Sequence, residues 1–485
     1  IWSEMMIKDR IKRHLAIEYE KKIIIFDEDI DDLFDYKDIL SIHNFSIVEY
    51  EDIELFRYKY EIDIKSSKFN WAVIVKKDIY IPFDIMNAFY SIRLSLKVLF
   101  PNLNENVLRE YKYDIDLISL SYETSYSDLE TPEKTKRFIK VNSFSSDNIS
   151  RYCNGKIDDL KAKESKGRVR SDEWIQIALI KAKILYYAMM KNLDFDLSFI
   201  DNAFELFVKD DYKNLSTQVN GSAPAILPKT LEYISGSKVV LIVMDGMSVF
   251  DFEILSRYFN EIKYDLNGTF AMIPTTTAIS RQCLLSGKYP RELTNPFDLS
   301  KEGKQFYEAA QGLGYSPKQV LYTRGYSTIF AYQTKFVAII INDIDDMVHG
   351  QMQGRMGMYN DISLFAKSNK LQTLIRNLTA GGFDVYITSD HGNRVCTGVG
   401  TLRNTGVEVE TKSKRMVILK EFAEENDLIT KYTSTYEGYY LDKSYKYLIC
   451  EPDVSYDITN KEVVTHGGST IDEVIVPFIK IKAVN

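Results

Sequence analysis

The sequence predicts an α/β sandwich from about residue 236 onward, on three observations. Runs of strand length, KVVLIVM (238–244), FVAIIIN (336–342), FDVYITS (383–389) and KRMVILK (414–420), are apolar almost throughout, the pattern of strands covered on both faces. Helical patterns alternate with them, at Ser248 to Tyr258, Gln305 to Leu313 and Leu364 to Leu378. Clusters rich in Asp, His and Gly follow the runs, at the strand ends where open α/β sheets gather their ligands. Regions 296–335 and 395–460 lack this regularity and read as insertions that shape a pocket.

Upstream, Lys21 to Asp29 (KKIIIFDED), Asn44 to Tyr50, Ile53 to Tyr58, Trp71 to Val75 and IYIPF (79–83) are strand-like, with helical patterns between and after them. They predict a small α/β domain over about 1–105. Asp27 and Asp29 end its first strand; such acids offer metal ligands but more often only turn the chain towards solvent. Residues 106–220 carry few strand signals and predict a helical middle region. Within it, the polar stretch from Arg151 reads as a loop, followed by helices from Trp174 and from Asp196 to Val208. Gly221, Pro224 and Pro228 lie among small residues, a linker pattern. The sandwich is assigned to 236–485.

A chain of 485 residues exceeds what one small core organises. Its net charge of -8, without a long basic run, argues against a nonspecific nucleic-acid binder. Cys153, Cys283, Cys396 and Cys450 form no CxxC pair and read as reduced, buried side chains of an intracellular protein. The opening IWSEMMIKDRIKRH carries charges where a signal peptide needs an apolar core. WIQIALIKAKILYYAMM is short for a membrane span and is interrupted by Lys181 and Lys183. The expectation is a cytoplasmic protein with no membrane partner.

The clusters carry the chemistry. Asp245-Gly246 follows VVLIVM, Asp345-x-x-x-His349 follows VAIII, Asp390-His391-Gly392 follows VYITS, and His466-Gly467-Gly468 follows VVT. PTTT (274–277) lies between the first two. Three Asp, three His and one hydroxyl at separate strand ends form the inventory of a two-metal phosphoryl-transfer site. Asp345 and His349 fall one helical turn apart, on one face. A threonine hydroxyl becomes a usable nucleophile once a metal lowers its pKa, and a helix beginning near Ala278 would set it at a phosphate-binding N-terminus. Zinc suits mixed imidazole and carboxylate donors, with manganese as the alternative.

This ordered set resembles the alkaline phosphatase superfamily. More narrowly it resembles the PglZ domain family, found in BREX phage-defence systems and in some response regulators. The match covers about residues 236–485, and the N-terminal layout is also similar to stand-alone PglZ proteins. The resemblance implies an alkaline-phosphatase-like sandwich with a central, mostly parallel sheet. It places Asp245, Thr277, Asp390 and His391 on one metal and Asp345, His349 and His466 on a second. PTTTAISRQCLLSGKYP is similar to a phosphodiesterase pattern whose register makes Thr277 the nucleophile, with Thr275 as the alternative. Ser280 then stands where those phosphodiesterases carry a phosphate-holding Asn, with Arg281 beside it. Arg355, Arg394 and Arg403 are further basic residues near ligand segments, each more readily a surface charge or structural ion pair. The implied activity is metal-dependent hydrolysis of a phosphodiester in a cyclic or linear nucleotide or a nucleic acid, with BREX defence-complex proteins as partners. The alternatives are a phosphomonoesterase of the same superfamily, or a weakly active, metal-stabilised component of a defence complex.

Overall fold

A computed structural model of the chain describes residues 6–484, apart from 32, 35, 77–78, 124–125, 127, 166, 352, 403–412 and 421–426. The chain divides into two compact units, Ile1–Gly155 and Lys156–Asn485.

In the first unit, β1 (Lys22–Asp27), β2 (Phe45–Glu49), β3 (Asn70–Val75) and β4 (Tyr90–Leu94) form an all-parallel sheet in the order β2-β3-β1-β4. The isoleucines of β1 alternate between two cores. Ile23 and Ile25 join one cluster and Ile24 the other, as the two-residue repeat of a strand covered on both faces requires. Two strand-like segments are not strands. Ile53–Lys59 is a helix, because the Asp52 carboxylate caps it by accepting the Glu54 and Leu55 N–H groups, both at 2.9 Å. IYIPF is broken at Pro82, the N-cap of the short helix Phe83–Met86, and the fourth strand comes later, at Tyr90. The strand-end acids close their own turn. Asp27 accepts from the N–H groups of Asp29, Ile30 and Asp31, while Asp29 accepts from Leu96 N and pairs with Arg109. The polar stretch from Arg151, expected as a loop, continues the helix Ser146–Glu164.

The second unit is centred on a six-stranded sheet. Its strands are β5 (Val239–Met244), β6 (Asp265–Phe270), β7 (Val320–Arg324), β8 (Phe336–Ile341), β9 (Asp384–Thr388) and β16 (Ile475–Ile481), in the order β6-β16-β9-β5-β8-β7. β9, β5, β8 and β7 run parallel, and β16 is antiparallel to both its neighbours. Every residue of β5 and β8 is buried. One face packs Val239, Leu241 and Val243 against Leu284 and Leu285 of the helix Thr277–Ser286 and Phe306 and Ala310 of the helix Glu302–Gly312. The expected helix from Leu364 to Leu378 is two helices, Gly354–Lys367 and Lys370–Ala380, separated at Asn369 in a left-handed conformation.

Smaller sheets flank this body. β10 (Arg394–Gly398), β14 (Val454–Ser455) and β15 (Glu462–Thr465) form one; β11 (Met416–Lys420), β12 (Thr433–Tyr436) and β13 (Tyr445–Cys450) form the other. KRMVILK therefore lies outside the main sheet, and β7 lies inside a region read as irregular. Lys181, which interrupts the apolar run from Trp174, is buried in the helix Ser171–Lys191. It donates to Asp201 and Asp472 at 3.0 and 2.8 Å. No described helix is long and apolar enough to cross a membrane. All four cysteines are free and buried.

Arg415 and Glu473 are both fully buried and paired at 2.9 Å. Glu473 also accepts from Gly468 N and the Thr470 hydroxyl, so the pair holds the His466-Gly467-Gly468 turn. Arg415→Met would leave that carboxylate buried without its cation. We expect a loss of about 3–5 kcal/mol, read as a lower urea midpoint; an unchanged midpoint would show that the pair does not stabilise the fold.

Candidate metal centre and active site

The strand order explains the convergence. β9, β5 and β8 are consecutive parallel neighbours, so the residues leaving their carboxyl ends emerge side by side. Asp390 follows β9, Asp245 follows β5, and Asp345 lies in the helix Asp343–Gly350 after β8. Gly246 takes φ +72°, and a Cβ there would lie 3.4 Å from Asp345 Oδ1, so glycine permits both the turn and the approach. His466 enters from β15, which pairs antiparallel with β10 just beyond Asp390-His391. That pairing stacks the His391 and His466 rings with centroids 4.0 Å apart.

The ring nitrogens are set by backbone carbonyls. His466 Nδ1 lies 2.9 Å from Thr275 O, and His391 Nδ1 lies 3.0 Å from Gly392 O. A carbonyl can only accept, so each Nδ1 carries a proton and each ring turns its Nε2 into the site. Thr277 begins the helix Thr277–Ser286, and its Oγ1 lies 2.9 Å from His391 Nε2, to which it donates. Thr275 is occupied elsewhere. Its buried hydroxyl donates to Gly468 O at 2.9 Å and accepts from Gly467 N at 3.1 Å.

The donor set fits a metal. Asp245, Asp390 and His391 offer ligand atoms within 4.8 Å of one another, and so do Asp345, His391 and His466. Asp245 Oδ1, Asp345 Oδ1, Asp390 Oδ2 and His466 Nε2 are buried without a hydrogen-bond partner among the described residues. Unsatisfied buried carboxylate oxygens are costly unless a cation meets them. His349 lies beside the second group rather than within it: its Nε2 is 3.2 Å from Asp345 Oδ1, and its side chain is 23% exposed.

Electrostatics point the same way. Burial and the neighbouring Asp390 push the Asp245 carboxyl well above the usual carboxylate range, with Arg281 offsetting only part of this. Burial opposes ionisation of Asp345 too, but His349, His466 and His391 together hold it below that range. Burial, and then His391, push His466 well below the ordinary imidazole value and keep it neutral. Four carboxylates, Asp245, Asp345, Asp390 and Glu302, are met by two guanidinium groups, Arg281 and Arg324. Net negative charge is left for a cation to balance.

The residues considered for phosphate are placed differently. Ser280 is fully buried, with its hydroxyl 3.5 Å from Met272 O. Arg281 is buried between Asp245 and Glu302. Arg394 pairs with Asp201, Asp453 and Asp472. The Arg355 guanidinium lies 5.5 Å from the Phe250 ring centroid, and Arg403 lies outside the described residues. Sequence reasoning missed three supporting groups. Glu302 anchors Arg281 from a segment read as irregular. Ser389 donates to His391 O and accepts from Met247 N. Asn393 donates to Gly246 O and to Asp251. Ser389 and Asn393 flank Asp390-His391-Gly392, and their short polar side chains were the available signal.

A largely parallel sheet with carboxylates and imidazoles at adjoining strand ends defines an alkaline-phosphatase-like α/β domain. The model of the BREX system PglZ alkaline phosphatase-like domain matches residues 229–481, just over half of the chain, and the chain belongs to that family. No curated protein matches it. Among solved structures, murine ectonucleotide pyrophosphatase/phosphodiesterase 5 is similar at 13% identity and a TM-score of 0.36, over 50% of this chain and 88% of that one. The human counterpart is similar at 11% identity and 0.34, over 50% and 87%. Phosphonoacetate hydrolase from Sinorhizobium meliloti, with phosphonoformate, is similar at 10% identity and 0.31, over 51% and 90%. Family membership supports a phosphoesterase-type hydrolase.

Divalent zinc should stabilise the chelator-treated protein by about 2.7 kcal/mol at a free concentration 100 times the dissociation constant. The melting temperature would rise accordingly, and Asp390→Asn should lose most of that rise. Because the Asp245 carboxyl holds its proton to unusually high pH without a cation, metal uptake should release protons and weaken as pH falls. Calorimetry in two buffers of different ionisation enthalpy measures that release, and heats independent of buffer would contradict it.

Proposed function

We propose that this chain is a metal-dependent phosphodiesterase that uses Thr277 as its nucleophile, acts on a nucleotide or nucleic-acid phosphodiester, and works in phage defence. The observation that carries the reading is the position of Thr277 Oγ1. It stands at a helix start, 2.9 Å from His391 Nε2 and beside buried ligand atoms that have no hydrogen-bond partner among the described residues. Asp245, Thr277, Asp390 and His391 would hold one divalent ion, and Asp345, His349 and His466 a second. Two zinc ions suit these donors, with manganese as the alternative. When bound, such ions supply Lewis-acid charge to the phosphate and lower the pKa of a coordinated hydroxyl.

The chain's own groups do the rest. The helix Thr277–Ser286 begins at Thr277 without a side-chain cap, and the free N–H groups at a helix start favour a phosphate oxygen. Thr277 Oγ1 forms a bond to phosphorus while the ester oxygen opposite departs and takes up a proton. The resulting phosphothreonine is cleaved by water, which restores the hydroxyl. A diester suits the charge balance better than a monoester. Arg281 and Arg394 are already engaged by acids, so neither is spare for the extra negative charge of a monoester. The BREX association of the family supports a defence complex as partner. A cytoplasmic location, and an N-terminal α/β region followed by helices before the hydrolase domain, belong to the same proposal.

Thr277→Ala should keep the fold and most of the metal while lowering hydrolysis at least about 100-fold, within the range for loss of a nucleophile. Thr275→Ala should chiefly destabilise, by about 1–3 kcal/mol, because it leaves Gly467 N without its buried acceptor and Gly468 O with only the Thr275 N–H at 3.3 Å. The assay is a screen of cyclic and linear nucleotides, oligonucleotides and monoesters against the metal-loaded protein. Thr277-dependent cleavage of monoesters with diesters untouched would reverse the substrate assignment. No turnover of any ester would leave a metal-stabilised structural component.

A further inference from the structure

A second site lies wholly within the first unit. A cavity of about 880 Å³ opens between the helix Ile7–His14, the segment around Pro101 and the start of the helix Ser146–Glu164. That volume is in the range of small-ligand pockets. Arg10, Arg13, His14 and Arg151 line it, against the two carboxylates of Glu123 and Asp147. The lining is therefore cationic in a chain whose net charge is -8.

Arg10 sets the character of the pocket. It is only 9% exposed. Its Nε donates to the Ser119 hydroxyl, and its Nη2 donates to Ser119 O and Tyr122 O at 3.1 and 3.2 Å. Its guanidinium carbon lies 5.1 and 5.0 Å from the ring centroids of Phe100 and Tyr122. Nη1 has no hydrogen-bond partner among the described residues. A guanidinium fixed in this way has little rotational freedom left to lose on binding an anion. Tyr90 and Tyr126 also line the cavity and supply aromatic rings for a planar group, while the Tyr122 ring is taken by Arg10.

We propose that this cavity binds a nucleoside monophosphate, with its phosphate on Arg10, Arg13 and Arg151 and its base against Tyr90 and Tyr126. The site shares no residue with the candidate metal centre and does not depend on the function assigned there. The test is calorimetric titration of AMP into the full chain carrying Thr277→Ala, with chelator present so that turnover and metal-borne binding are both absent. Saturable binding at one site is expected, with adenosine and inorganic phosphate each at least ten-fold weaker. Arg13→Glu should weaken AMP at least ten-fold without changing the melting temperature, and Asp390→Asn should leave AMP affinity unchanged. If that variant does not fold, Arg13→Ala carries the comparison. The proposal is overturned by absence of AMP binding, by equal affinity in the folded pocket variant, or by loss of binding in Asp390→Asn. Phosphate binding as tight as AMP, or binding of an oligonucleotide but not AMP, would overturn it as well.

Discussion

Three carboxylates leave adjoining ends of one parallel sheet, and much of the surrounding structure answers their mutual repulsion. The register of β9, β5 and β8 brings them together. Each is met in a different way. One Asp390 oxygen is occupied by the N–H groups of Gly246 and His391, which leaves the other unsatisfied. Asp245 gives one oxygen to Arg281, and Asp345 lies among three imidazoles. The backbone thus fixes which atoms remain available, and the available atoms are those a cation would need.

That selection extends outward through polar groups that touch no substrate. Glu302 holds Arg281 on one side and is itself held by Arg324 and Tyr322 on another. Asn393 ties the Gly246 carbonyl to Asp251, whose carboxyl burial pushes up to about 6. Arg394, three residues beyond His391, reaches Asp201 and Asp472, and Lys181 pairs with the same two acids. The helices Ser171–Lys191 and Ser198–Asp210 are therefore joined to the Asp390-His391 loop by charge. Such buried ion pairs in a low-dielectric interior hold their members in place more firmly than pairs at the surface do.

The fold was legible where one physical signal dominated. β5, β8 and β9 are continuous apolar runs, so their burial, their parallel pairing and the acids at their ends could be read together. β6 and β16 carry weaker signals. DLNGTF contains Asn267 and Gly268, and Pro477 interrupts IVPFIKI; both become strands because each pairs with the other. Ile53 to Tyr58 alternates like a strand, but the cap at Asp52 decides for helix. In the candidate site, the order of the motifs indicated which side chains would meet. It could not show that Thr275 is consumed by the His466 loop, or that Arg281 turns inward, because both depend on contacts far apart in sequence.

β16 follows every other strand in the chain, yet it lies between β6 and β9. During synthesis, β6 must therefore wait for β16, its neighbour among the described strands of that sheet, until the strands before it have been made. The turn carrying His466 precedes β16 by a few residues and is locked through Thr275 to the threonine segment. A nascent chain can thus pair β5, β8 and β9 early while the hydrolytic centre is still missing a wall. Assembly of that centre is timed by the arrival of a single late strand, so a prematurely terminated product would carry the acids without the means to use them.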